Sequence, residues 1–556
     1  MSWLDAVTFQ QAWERSVERA PSDLFLVFEA PDGTTTEWSY AAFDGLVSRT
    51  AGLLRGVGVQ QRDAVSVALT NSPAFVAIWI ATIRLGAWLV PSDPMAAEQE
   101  LSGQLRRTRP VVGFCSRDRA ATYRAAAAGT DVQVVEIDEA DAVLDVFGPV
   151  TNMTDTPGTN TAGTNTAGTD KAGTDTAGTD AAGLDTPGTD AAGTNTVATD
   201  TVATWPAPVL TDRAAVMFTS GTTGVPKGVE ITQANYAFAG ATMAAASGLR
   251  AEHRQLVVLP LFHANAQFYS FASAIWVGAS VALMHTFSAS GFLAQAARHR
   301  ATHASLFAAP IRMILSRGAS PVDGVALQHC WYAMNITDAQ HATLTLLLGC
   351  APRQLYGMTE TIPAVLTEPA EDPVPESMGM PTAGCLVEIH HGEIVVGGER
   401  GITLFAGYLD DPATTDASFR GGWFLTGDRA HRSVDGRFLF DGRRSDVLKV
   451  AGENVSTVEV EHVIAGFPGV LEVAVVGHPD EIRDEVPVAF VVAADPAAPP
   501  DLDALAAWCA QRLTKAKRPR DITLVDQLPR TSVGKIRKFL LRDDAAENAP
   551  EGRIPV

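Results

Sequence analysis

Residues 214–232 read AAVMFTSGTTGVPKGVEIT, an apolar run that breaks into a loop of glycines, hydroxyl side chains and a single lysine. Gly221, Gly224 and Gly228 carry no Cβ, so backbone N–H groups there can turn inward and approach an anion closely. Thr219, Ser220, Thr222 and Thr223 add hydroxyl donors, and Lys227 adds a mobile positive charge, a combination that suits phosphate. The loop of ordinary nucleotide hydrolases ends in Gly-Lys-Ser/Thr, whereas Lys227 lies between Pro226 and Gly228. This is a phosphate-binding loop of another kind; the competing reading is an ordinary Gly/Thr turn.

Four further stretches carry chemistry-bearing residues in order: LYGMTET at 355–361, GWFLTGD at 422–428, DGRRSDVLKVAGENVSTVEVE at 441–461 and LPRTSVGKIRK at 528–538. Together with TSGTTGVPKG they make the chain resemble the adenylate-forming superfamily of acyl- and aryl-CoA synthetases, over nearly its whole length. NITDAQ before YGMTETI, with GENVS and IRDE, looks most like the carnitine and crotonobetaine CoA ligases. The resemblance implies that Tyr356 stacks on adenine beside Gly357, that Thr359 binds phosphate and that Glu360 holds Mg²⁺. A flat ring does offer a π-face to a base, and a carboxylate supplies the hard oxygen that magnesium prefers. It further implies that Asp428 accepts from both ribose hydroxyls and that Arg443 adds a ribose or phosphate contact.

By the same resemblance Lys535 is the catalytic lysine. Carboxylate attack on phosphate brings two anions together, and an ammonium between them lowers that barrier. His263 in LPLFHANAQ stands where the family carries an aromatic residue bordering the acyl pocket and the thiol tunnel; a lone histidine also reads as a satisfied structural residue. Lys449 is placed on the face that closes for the second half-reaction. Asn265, Gln267, Trp331, Tyr332, Met334 and Asn335 are acyl-pocket candidates, while His341, His390 and His391 show no metal-ligand spacing.

The elements that must position these groups follow from patterning. The 556 residues exceed one hydrophobic core. Helical periodicity alternates with short strands up to about residue 380, which predicts stacked α/β sheets; short Gly- and Asp-punctuated strands then predict a small β subdomain. The expected fold is α/β: an N-terminal adenylating domain at 1–440, a hinge at 441–446 about Ser445, a small mobile α+β domain at 447–542 and a disordered tail at 543–556. Inside the first domain, residues 151–204 repeat every five residues with glycine at 158, 163, 168, 173, 178, 183, 188 and 193. This tract lacks apolar residues to bury and reads as a solvated low-complexity insert in a loop between two strands.

Hydrophobic residues at 46% and charged residues at 19% fit a globular enzyme, and the net charge of −21 argues against a nucleic-acid partner. The five cysteines are scattered, with no C-x-x-C pair, and read as reduced thiols of a cytoplasmic protein. Two apolar stretches, 75–91 and 268–284, read as buried helix and strand rather than membrane spans. The resulting expectation is a monomeric or homodimeric ligase that uses ATP, Mg²⁺ and coenzyme A to activate a small carboxylic acid as an acyl-adenylate and pass it to the CoA thiol. The alternative is an adenylating enzyme with another acceptor, either a diazotase joining nitrite to an aromatic amine or a carrier-protein loading enzyme.

Overall fold

The computed structural model describes residues 7–139, 206–219, 226–334, 336–443, 447–451, 453–480, 482–530, 536–538 and 540–542. Among the described residues the larger sheet has fourteen strands. Its centre is parallel, in the order Leu24–Glu29, Ser280–Met284, Arg254–Val257, His303–Phe307, His329–Ala333 and Arg353–Tyr356. Beyond Arg353–Tyr356 the pairing turns antiparallel through Leu366–Thr367 and Ser377–Pro381 to the long strands Phe438–Arg443 and Trp423–Arg432. The short strands that follow residue 380 thus continue this sheet's hydrogen-bonded path.

The second sheet has seven strands among the described residues: Gly407–Tyr408, Lys227–Thr232, Arg213–Thr219, Trp88–Pro91, Ala64–Ala68, Val112–Ser116 and Gln133–Ile137. The strands on either side of the period-five tract, Gln133–Ile137 and Arg213–Thr219, both belong to it. Two helices show why their sequences are apolar all round. Helix Pro73–Arg84 is buried from Pro73 through Ile83, and Gln233–Ser247 is buried over most of its length. Thr232 caps the second helix in a reciprocal box with Asn235. The apolar stretches at 75–91 and 268–284 fall within such buried pieces, and no helix among the described residues is long and apolar enough to cross a membrane.

The helix beginning at Asn265 differs from the ordinary helix that periodicity suggests: Asn265–Ala272 is a π-helix, continued as α-helix over Ser273–Val277. A neighbouring helix comes very close here, since a Cβ on Gly240 would lie 2.6 Å from the Ala272 carbonyl oxygen.

The third sheet runs Glu453–Ser456, Val447–Val450, Asp484–Ala493 and Val470–Asp480, with Asp521–Leu524 parallel to Asp484–Ala493. Period-two alternation gives it two apolar faces. Val475, Ala489 and Val491 pack with Val460, Ile464, Leu505 and Cys509 of the helices Thr457–Ala465 and Leu502–Arg512. Ala474, Val476, Val488 and Phe490 pack on the other side with Leu528 and Leu541. Arg312 and Arg530 both lie against Glu472 of this sheet, at 3.7 Å and 2.5 Å.

At the amino-terminal edge of the parallel strands, His303 and His329 begin adjacent strands in register. Their rings are 5.6 Å apart, and His253 lies 4.8 Å from His303. Burial pushes all three imidazoles down, His303 to about 4, with Arg353 adding to the effect on His329.

Candidate functional site

Parallel α/β sheets place functional loops beyond the carboxyl ends of their strands. The candidates fall there: Val258–His263 follows Arg254–Val257, Met334 follows His329–Ala333, and Gly357–Glu360 follows Arg353–Tyr356. Gly357 has no room for a side chain, because a Cβ would sit 2.9 Å from the Pro363 carbonyl oxygen and 3.3 Å from the Tyr269 hydroxyl. Ile362, with φ of 73°, turns the chain just after the 3₁₀ turn Thr359–Thr361.

Two clusters of polar groups face one another. In the first, the Tyr356 hydroxyl donates to Asp428 Oδ2 at 2.7 Å, and Arg443 Nε lies 2.9 Å from Asp428 Oδ1. Asp428 and Arg443 are register partners on adjoining antiparallel strands, which fixes the pair. Asp428 is 2% exposed, so its carboxylate depends on these partners. In the second cluster, the Tyr408 hydroxyl donates to Glu360 Oε1 at 3.0 Å, and Lys227 Nζ lies 4.6 Å from the centre of the Tyr408 ring. Burial raises the Glu360 carboxyl above its ordinary range, while Tyr408, Lys227 and Arg443 pull it down. Arg443 therefore acts on both carboxylates, and the clusters share one space.

Tyr408 was not among the sequence candidates. Its strand pairs with the one that Lys227 begins, Tyr408 opposite Val229, and this places the phenol between Lys227 and Glu360. Arg107 is a second such residue. Its guanidinium donates to the Pro226 carbonyl at 2.6 Å and lies 5.1 Å over the Phe218 ring, gripping the chain on both sides of the glycine-rich loop. Only the Gly-Tyr preceding an Asp-Asp-Pro turn, and an arginine on an amphipathic helix, mark these two in the sequence.

Thr219 and Lys227 are register partners at the mouth of the loop. Ser220, Gly221, Thr222, Thr223 and Gly224 lie outside the described residues, as do Lys535, Ser445, Asn335, the 151–204 tract and the 543–556 tail. Lys449 is exposed on the third sheet, its backbone N–H donating to Glu485 Oε2 at 2.9 Å.

His263 follows Phe262, ring centres 4.4 Å apart; its Nε2 is covered and has no partner among the described residues, and burial pushes the imidazole down to about 4. Other pocket candidates are committed to the protein interior. Gln267 accepts from the Tyr236 hydroxyl and donates to the Leu261 carbonyl at 2.6 Å; Tyr332 donates to the Pro375 carbonyl at 2.9 Å; Trp331 lies 4.7 Å beneath the Arg353 guanidinium. A cleft of about 530 Å³ borders the segment leading to His263, lined there by Val258, Pro260 and Phe262 and at its other end by Leu471, Glu472 and Arg530.

Residues 13–409 match the family described as AMP-binding enzyme, and residues 459–535 match the AMP-binding enzyme C-terminal domain. The chain is 29% identical to the crotonobetaine/carnitine–CoA ligase of Citrobacter koseri, across 96% of this chain and 98% of that protein. It is 28% identical to the enzyme of the same name from Proteus mirabilis, across 95% and 98%. Among solved structures, a benzoate CoA ligase from Burkholderia xenovorans superposes with a TM-score of 0.77 at 21% identity, covering 96% of this chain and all of that one (100%). An anthranilate CoA ligase in complex with anthranoyl-AMP gives a TM-score of 0.77 at 21% identity, with 97% of each chain covered.

Proposed function

The chain belongs to the AMP-binding enzyme family, and from that premise we propose that it joins a small carboxylic acid to coenzyme A through an acyl-adenylate, releasing pyrophosphate and AMP. The observation that carries the reading is the convergence of Lys227, Glu360, Asp428 and Arg443, from four separate motifs, on one space beyond the strand ends.

ATP lies with its adenine on Tyr356 and its ribose hydroxyls on Asp428, whose Oδ2 accepts from the Tyr356 hydroxyl and whose Oδ1 is ion-paired with Arg443. The phosphates take Lys227, Thr359 and the loop that Thr219 opens. The buried Glu360 carboxyl, flanked by a lysine and an arginine, has the hard-oxygen chemistry of a magnesium ligand. Mg²⁺ held there would neutralise phosphate charge during transfer. The acid's carboxylate attacks the α-phosphorus, an acyl–phosphate bond forms, and pyrophosphate leaves; Lys535 offsets the meeting of the two anions.

The small domain, residues 447–542, then turns about 441–446 and brings Lys449 towards the site. The CoA thiol displaces AMP by attack on the acyl carbon. The cleft lined by Val258, Pro260 and Phe262 and by Leu471 and Glu472 supports a thiol as acceptor, since it reaches from the third sheet to the segment that ends at His263. The same reading puts the enzyme in the cytoplasm, where ATP and CoA are at hand.

The test is ATP-dependent pyrophosphate release over a panel of small acids, with and without CoA, followed by mass detection of the thioester. Pyrophosphate without thioester, with turnover restored by nitrite and an aromatic amine or by a carrier protein, would replace CoA as acceptor and leave the adenylating site standing.

A further inference from the structure

Two amide side chains sit two residues apart at the start of the π-helix and meet opposite fates. Gln267, 0% exposed, has its oxygen bonded by the Tyr236 hydroxyl and its nitrogen bonded to the Leu261 carbonyl. Asn265, 4% exposed, has neither its oxygen nor its nitrogen bonded to any described residue. His263 Nε2, two residues earlier, is likewise covered and unpartnered. Burying an amide with no partner is costly, so three orphaned polar atoms within three residues call for a partner that is not part of the protein core.

Their position says which partner. Residues four apart in a π-helix lie close to one face, so Asn265 shares a face with Tyr269, and the Tyr269 hydroxyl borders Gly357 in the loop between Tyr356 and Glu360. Asn265 thus lies on the helix face whose Tyr269 hydroxyl borders the adenylating loop, and His263 follows directly on Phe262 of the cleft lining.

We propose that Asn265, with His263 beside it, reads a neutral hydrogen-bonding substituent, a hydroxyl or an amide, on the tail of the acid substrate. The inference rests on the acid–CoA ligase reading and deepens it by naming the substrate class. An amide presents a donor and an acceptor together, the complement of a hydroxyl, which has both. The buried imidazole is neutral in the physiological range, so neither group is suited to an ionised tail. A hydrocarbon acid would leave the amide unpaired, and sites of this kind discriminate against such analogues by orders of magnitude. A trimethylammonium tail, as in carnitine and crotonobetaine, neither donates nor accepts a hydrogen bond from that group.

The experiment compares matched acids by pyrophosphate release: butyrate with 3- and 4-hydroxybutyrate, benzoate with 3- and 4-hydroxybenzoate, and crotonobetaine as the charged arm. We expect kcat/KM for the hydroxylated member of the preferred pair to exceed that of its hydrocarbon partner at least tenfold. Asn265→Leu lowers that ratio at least tenfold. The same variant melts at a higher temperature than the ligand-free parent, because an unpaired amide is replaced by an apolar group of similar volume. Preference for the hydrocarbon or for crotonobetaine, an unchanged ratio, or a lower melting temperature in Asn265→Leu overturns the proposal. If no acid supports pyrophosphate release the ligase reading itself fails, and the melting comparison still decides whether Asn265 is an unpaired group.

Discussion

Tyr408→Phe isolates one bond at the site. The phenylalanine ring keeps the contact with Lys227 at 4.6 Å and the edge-to-face packing on Phe405 at 4.9 Å, and removes only the hydroxyl that donates to Glu360. Glu360 is 8% exposed, so water does not replace the lost donor. A hydrogen bond to a charged group contributes about 1.5–3 kcal/mol, or roughly a 10- to 150-fold change in an equilibrium. The sign follows from which form is stabilised. The hydroxyl favours the carboxylate, its removal favours the carboxylic acid, and the carboxylate is the form that would hold magnesium in the proposed site. The acidic limb of kcat/KM for MgATP therefore moves to higher pH, and activity on that limb falls tenfold or more, while activity well above the limb recovers towards wild type. The assay is pyrophosphate release across pH at saturating acid, with the melting temperature measured in parallel. A melting temperature that falls while the acidic limb stays in place would refute the reasoning, for Tyr408 would then support the fold without acting on Glu360.

Lys535→Ala is expected to suppress adenylate formation by at least ~10²-fold while sparing thioester formation from a supplied acyl-adenylate; single-turnover measurement of each half-reaction checks it, and equal losses in both would contradict it. Arg107→Ala frees the Pro226 end of the phosphate loop and is expected to raise KM for MgATP about tenfold with a smaller change in kcat, a KM-against-kcat split readable in steady-state kinetics. Stability is expected to fall with pH from roughly 6.5 towards 4, because the unfolded chain binds protons that His253, His303 and His329 refuse when folded. Melting curves of His303→Gln should show a shallower fall over that window; an identical slope would remove His303 from the account.

What could be read in advance divides by range along the chain. Contiguous motifs declared themselves: YGMTE is a strand end running into a tight turn, and TGD is three residues whose backbone places one carboxylate. Period-two alternation in VLEVAVVGH and VPVAFVVAA predicts strands with two usable faces, and both strands form. Tyr408 escaped because its importance comes from strand pairing with a segment far away in the chain, and neither partner shows that register alone. Asn265 and Gln267 looked alike as amides in one apolar run. Their difference appears only once Tyr236 and the Leu261 carbonyl are found to satisfy one and leave the other. The π-helical turn that carries them has the same apolar spacing as an ordinary helix, so periodicity does not reveal it.

The ion pair between Arg312 and Glu472 takes on a kinetic meaning if the small domain turns as proposed. The third sheet carries its own apolar packing on both faces, so turning it would expose little hydrocarbon; the ion pair that would have to break is Arg312–Glu472, whose side chains are 27% and 15% open to water, because Arg530 travels with Glu472 on the same domain. Such a seam would behave as an electrostatic latch, one that dissolved salt weakens only in part because the pair is largely covered. Ionic strength would then bear on the turn that separates the two proposed chemical steps.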